Sequence, residues 1–247
     1  LMGQIVLAYH GCDVTVRDGL VRGELMPRIS SNAYDWLGDG LYFFEGDHNR
    51  ALKLAMFAHE NPQHLLTRIP IATPAVVGAI LDVDRWLDLT TQEGIANFTH
   101  AAQTVVNGSI DAGTPVPENK PAFDGDKDLL HRAFDKAACD MVHTFRKMLH
   151  ERALDVQDTA AIIATAPYQA ARGAFEQGEQ VSEGSSICTD THLQIAVRDL
   201  NCIKGWFLIP GQKLLSDDEL QAAKQRQLDA IAQRRDSKPR RRATAKK

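Results

Sequence analysis

SSNAYDWLGDGLYFFEGDHNRAL, residues 30–52, changes character midway, from an aromatic, glycine-rich run to a helical pattern. Its first half is dense in aromatics and glycine and ends in a strand-like run, Leu41-Tyr42-Phe43-Phe44. From Asp47 the pattern turns helical: Asp47 is a capping residue, Leu52, Met56 and His59 recur at helical spacing, as do Leu54 and Phe57, and Asn61-Pro62 supplies a stop. A helix directly after an aromatic strand is predicted. Upstream, residues 4–9 (QIVLAY) form a short apolar, β-rich run that ends at His10-Gly11, where glycine releases the backbone into a turn.

Downstream, residues 75–83 (AVVGAILDV) have the composition of a buried strand, and Thr90-x-x-Glu93 is a capping box for a helix through about residue 106. Residues 107–127, with three glycines and three prolines, read as a surface or lid loop, followed by a long helix over 127–153. A strand is expected at 160–165 (AAIIAT) and a loop over 167–190. The alternating runs 191–198 and 201–208, two residues apart, fit a hairpin or successive bent strands. Ser216-x-x-Glu219 opens a last helix with Leu220, Ala223, Leu228 and Ile231 on one face. Strands at both ends with helices between predict an α+β chain whose first and last strands pair in a central sheet.

With 247 residues, 44% apolar and 24% charged, the chain has ample material for a core, and a single domain over 1–233 is expected. No apolar run approaches the roughly 20 residues a spanning helix needs, and no secretory pattern opens the sequence, so a cytoplasmic protein without membrane contact is expected. Cys12, Cys139, Cys188 and Cys202 show no C-x-x-C pairing and read as reduced, packed thiols. The formal charge of −4 is segregated: residues 1–233 carry 20 bases against 31 acids, whereas 234–247 holds eight Lys/Arg and one Asp. That run reads as a basic, disordered tail able to attract phosphates; the acidic body argues against binding nucleic acid over the whole surface.

Three polar features sit at strand ends or beside glycines: Tyr9-His10-Gly11, Gly38-x-Gly40-Leu41-Tyr42-Phe43 and Thr191-His192-Leu193-Gln194-Ile195. In order, they resemble the ADP-ribosyltransferase superfamily of the poly(ADP-ribose) polymerase type, in a bacterial toxin or defence branch. The resemblance covers roughly 1–60 and 160–210. It implies a split antiparallel sheet with flanking helices around a nicotinamide pocket, and NAD+ as a consumed substrate. Carried over, His10 matches the histidine that bonds the nicotinamide ribose, Gly11 the residue whose backbone holds the carboxamide, and Tyr42 the tyrosine that stacks on nicotinamide. Ser30, Ser31 or Asn32 would meet the adjoining ribose or phosphate, and Arg50 the diphosphate, since a guanidinium forks onto phosphate.

Gln194 stands where many relatives have the glutamate that stabilises positive charge at C1′, so polymer elongation is not expected and transfer of a single ADP-ribose is. Glu45 or Asp47 are the nearby carboxylates in sequence, and Arg172 and His192 the candidates for acceptor contacts. The implied partners are NAD+, an RNA, DNA or protein acceptor and, for a toxin, an antitoxin. The alternatives are an NAD+ glycohydrolase and a non-catalytic binding module. There is no H-E-x-x-H, G-x-S-x-G, P-loop or G-x-G-x-x-G, which argues against metal, hydrolase, NTPase and dehydrogenase readings.

Overall fold

The structure, a computed structural model, describes residues 3–64 and 67–236. β1 (Gln4–Asp13) runs through the middle of the molecule and ends at Asp13, whose side chain caps α1 (Val14–Val21). After a long connection come β2 (Leu41–Glu45) and α2 (His48–Glu60), the expected strand–helix pair: Asp47 accepts from Arg50 N at 2.8 Å and the helix stops at Asn61. β3 (Pro74–Val83) and β4 (Trp86–Asp88) follow, then α3 (Gln92–Asp111), the two-residue strands β5 (Asn119–Lys120) and β6 (His131–Arg132), α4 (Ala133–Asp155) and α5 (Thr159–Thr165). β7 (Ala170–Phe175), β8 (His192–Val197), β9 (Ile203–Phe207) and α6 (Asp217–Asp236) complete the chain.

Seven strands form one sheet in the order β4-β7-β8-β2-β1-β3-β9, antiparallel except for β4–β7. The sheet is rolled. β3 and β4 lie five strand spacings apart, about 24 Å if flat, yet only Asp84-Arg85 joins them, a reach of about 10 Å. The edges must therefore curl toward each other. The concave side holds a core of Val6, Ala8, Leu41, Phe43, Leu81, Val83, Ile195 and Val197. On the convex side, α3 and α4 cover β7 and β8 through Leu87, Ala101, Val142, Ala171 and Phe175, and α2 covers β1 through Ala51 and Phe44.

Several sequence expectations change. Residues 160–165 are helix, not strand: Asp158 accepts from Ala161 N at 3.0 Å, and an alanine-rich run with a cap coils. The 167–190 segment contains β7, whose Ala170, Ala171 and Gly173 are buried between β4 and β8. The 191–198 and 201–208 runs are no hairpin, because a helical turn at Leu200–Cys202 carries the chain to the other edge, where β9 joins β3. The first and last strands are not partners, since β3 lies between β1 and β9. α3 is capped by Thr91 rather than Thr90 and continues to Asp111, so the predicted 107–127 loop starts late, and the long helix begins at Ala133 rather than 127. The Ser216–Glu219 capping box forms, but Leu228 and Ile231 are exposed. α6 runs to Asp236, so the expected tail begins inside a helix, where Arg234 bonds the Pro62, Thr67 and Arg68 carbonyls; 237–247 lie outside the described residues.

Candidate active site

His10, Tyr42 and Gln194 fall on β1, β2 and β8, three consecutive strands of the sheet. The β1–β2 ladder pairs only Ala8 with Glu45 and Tyr9 with Phe44, so the two strands fork beyond Tyr9. The His10 ring fills the fork: its Nδ1 lies 2.8 Å from the Tyr42 carbonyl and its face meets Phe43 edge-on at 5.9 Å. A carbonyl only accepts, so Nδ1 carries the proton and Nε2 is left as an acceptor. Burial pushes this imidazole below its ordinary pKa and keeps it neutral, with the Tyr42 carbonyl opposing weakly.

Alternation along β2 puts Tyr42 on the opposite face from Phe43 and hence from His10. The Tyr42 hydroxyl accepts from Leu37 N and donates to the Gly38 carbonyl, both at 2.9 Å, and burial raises its pKa well above the ordinary value. Gln194 shares that face. Trp36 Nε1 donates to its Oε1 at 2.6 Å, and its Nε2 lies 3.0 Å from His192 Nε2. His192 Nδ1 lies 2.6 Å from the Asp190 carbonyl, so it too is protonated on Nδ1 and accepts on Nε2. The result is an oriented chain of donors, Trp36 to Gln194 to His192 to Asp190, with His192 pushed down to about 4 chiefly by burial. Segment 36–38 is thus fastened over both Tyr42 and Gln194. It can lie flat there because Gly173 on β7 leaves room: a Cβ at that position would sit 2.5 Å from the Trp36 ring.

The remaining candidates are largely committed. Ser30 donates to Asp35 at 2.7 Å and accepts from Asn32 Nδ2 at 2.6 Å, a closed network that shapes the connection into β2. Gly11 faces α2 so closely that a Cβ would meet the Ala51 carbonyl oxygen at 2.1 Å. Arg172 is held between Glu45, at 3.2 Å, and Asp88, an ion triad on the concave face that leaves Glu45 no role as a free carboxylate. Asp47 is spent on its cap. Arg50 rests on Phe44 at 5.0 Å and bonds Gln177; its Nε is buried without a partner.

Two contributors carried no signal in the sequence. Trp36 lies in the aromatic stretch but nothing marks it as the partner of Gln194. Arg132, which stacks on Phe175 at 3.9 Å and lies 5.5 Å from Trp36, precedes α4 and is brought in by the helical layer alone. Cys12, Cys139 and Cys202 are buried free thiols, as expected, whereas Cys188 is only half-buried. Among the described residues no group of His, Cys, Asp or Glu could hold a metal ion, and no helix is long and apolar enough to cross a membrane. No protein-family model, curated protein or solved structure matches this chain.

Proposed function

We propose that this chain cleaves NAD+ at the nicotinamide–ribose bond and transfers one ADP-ribose to a macromolecule, as an ADP-ribosyltransferase of the poly(ADP-ribose) polymerase type acting as a bacterial toxin or defence effector. The observation that carries this reading is the placement of His10, Tyr42 and Gln194, 184 residues apart at the extremes, on three adjacent strands beside a fork in the sheet, with the His10 ring on one side and Tyr42 and Gln194 on the other. A neutral His10 with a free Nε2 is suited to accept a bond from a ribose hydroxyl. Nicotinamide departure builds positive charge on C1′; an amide at 194 stabilises it less than a carboxylate, and Glu45 and Asp47 are already bonded. Slow, single transfer follows. Segment 36–38 must withdraw from Tyr42 and Gln194 for nicotinamide to reach them.

NAD+ labelled on its adenylate half, incubated with lysate, should transfer label to macromolecules, and His10→Ala should abolish it. Label appearing only as free ADP-ribose would make the protein a glycohydrolase. A second reading, a non-catalytic NAD+-binding module, is favoured by the saturation of the Tyr42 hydroxyl and the Gln194 amide by protein partners. Calorimetric NAD+ binding without nicotinamide release over long incubation selects it.

A further inference from the structure

A cleft of about 560 Å³ opens where three connections meet, at Arg85 between β3 and β4, at Pro167, Tyr168 and Gln169 leading into β7, and at Arg198-Asp199 leaving β8. Neither arginine has a carboxylate in ion-pair range among the described residues. Arg85 Nε bonds the Pro167 carbonyl and Arg198 Nη1 the Asp39 carbonyl, each at 2.8 Å, which leaves most N–H donors of both guanidiniums uncommitted. The acids nearby are engaged elsewhere: Asp39 pairs with Lys136, and Asp199 accepts from Asn201. Tyr168 adds an aromatic surface to the wall, backed by Arg146 at 4.5 Å from its ring.

We propose that this cleft is a nucleotide-binding subsite distinct from the Tyr42–Gln194 pair, taking a phosphate between Arg85 and Arg198 and a base against Tyr168. Forked guanidinium donors match phosphate oxygens, and an aromatic ring accepts any base by stacking. The volume falls in the range of small-ligand sites. Residues 1–233 carry 20 bases against 31 acids, so a long polyanion laid over the surface would be repelled, whereas one nucleotide unit seated in the cleft meets two guanidiniums that are not ion-paired, with Asp39 and Asp199 also in the lining. The subsite adjoins the other face through one segment: Arg198 holds the Asp39 carbonyl, and the preceding Gly38 carbonyl accepts from Tyr42.

Binding of AMP, inorganic phosphate and a short single-stranded oligoadenylate to the full chain, measured by calorimetry without NAD+, tests this apart from any turnover. Arg85→Gln, with an unchanged melting temperature, should weaken AMP at least 10-fold, and Arg198→Lys should weaken it while keeping the charge. Tyr168→Ala should weaken AMP about 5- to 100-fold and leave inorganic phosphate unaffected. Gln194→Ala should leave AMP binding unchanged. Tighter binding of the oligoadenylate than of AMP supports the subsite with a nucleic-acid chain as its source, and equal binding supports it with a free nucleotide. Undiminished AMP affinity in Arg85→Gln, loss of AMP only in Gln194→Ala, or no binding of AMP or the oligoadenylate overturns the proposal.

Discussion

Gln194→Glu would place a carboxylate where the proposed reaction would use one, yet the structure predicts that it destabilises the protein in a pH-dependent way. Trp36 Nε1 would still donate to one carboxylate oxygen, but the other would face His192 Nε2, which is an acceptor because Nδ1–H is committed to Asp190. Two remedies compete. Leaving the new carboxylate oxygen, half-buried, facing the buried and unsatisfied His192 Nε2 costs about 2–3 kcal/mol at any pH. Protonating the new carboxyl, with an ordinary pKa near 4.3, costs about 5 kcal/mol at pH 8 but only about 1 kcal/mol at pH 5. The cheaper route wins at each pH, so the variant should lie about 2–3 kcal/mol below wild type at pH 8 and about 1 kcal/mol below it at pH 5. Urea unfolding of both proteins at the two pH values reads this directly, and the His192 imidazole signal in NMR should shift in its titration. A Gln194→Glu protein as stable as wild type at pH 8 would refute the donor chain.

Gly11→Ala should push α2 off β1 through the Ala51 carbonyl and cost about 1–3 kcal/mol, a melting-temperature fall of roughly 2–12 °C; an unshifted melt would contradict the contact. His143 and His192 are held neutral by burial, pushed down to about 3 and about 4, whereas unfolded histidine titrates near 6.5. Below pH 6.5 the unfolded chain therefore binds protons that the folded chain refuses, and each residue should remove about 2 kcal/mol of stability between pH 8 and 5; equal unfolding free energies at the two pH values would rule this out. Arg172→Met should leave Glu45 and Asp88 facing each other and cost about 2–4 kcal/mol in urea unfolding, and no loss would mean the triad is solvated.

Sequence alone made the β2–α2 unit readable, because an aromatic, strand-favouring run, a cap at Asp47 and a stop at Asn61-Pro62 are all local signals. It also placed His10, Tyr42 and Gln194 on strands. What it missed is non-local. β7, AARGAF, has little β-propensity and is a strand because β4 and β8 bond it from both sides. The alanine-rich 160–165 run is short enough that periodicity does not separate strand from helix, and the cap at Asp158 settles it. The Trp36–Gln194 bond spans 158 residues of sequence, and no spacing rule encodes it. Nor did strand parity emerge: the three residues were read as one cleft, whereas the His10 ring lies on the concave side and Tyr42 and Gln194 on the convex side.

The two-residue Asp84-Arg85 link joins strands with different histories. β3 meets β1 along ten residue pairs, the chain between them running from 14 to 73, whereas β4 finds β7 in only three pairs after the chain has travelled from 89 to 169 through α3, α4 and α5. The two closures cost similar loop entropy, but the second gains only three pairs against ten and comes late. β1 and β3 are thus the older half of the molecule in folding time, and the roll is sealed last, by an edge strand tethered from the start to β3, next to the opposite edge. The same asymmetry should govern opening: backbone amides of β4 exchange with solvent first and those of the β1–β3 ladder last, so the molecule unrolls along the seam that closed it.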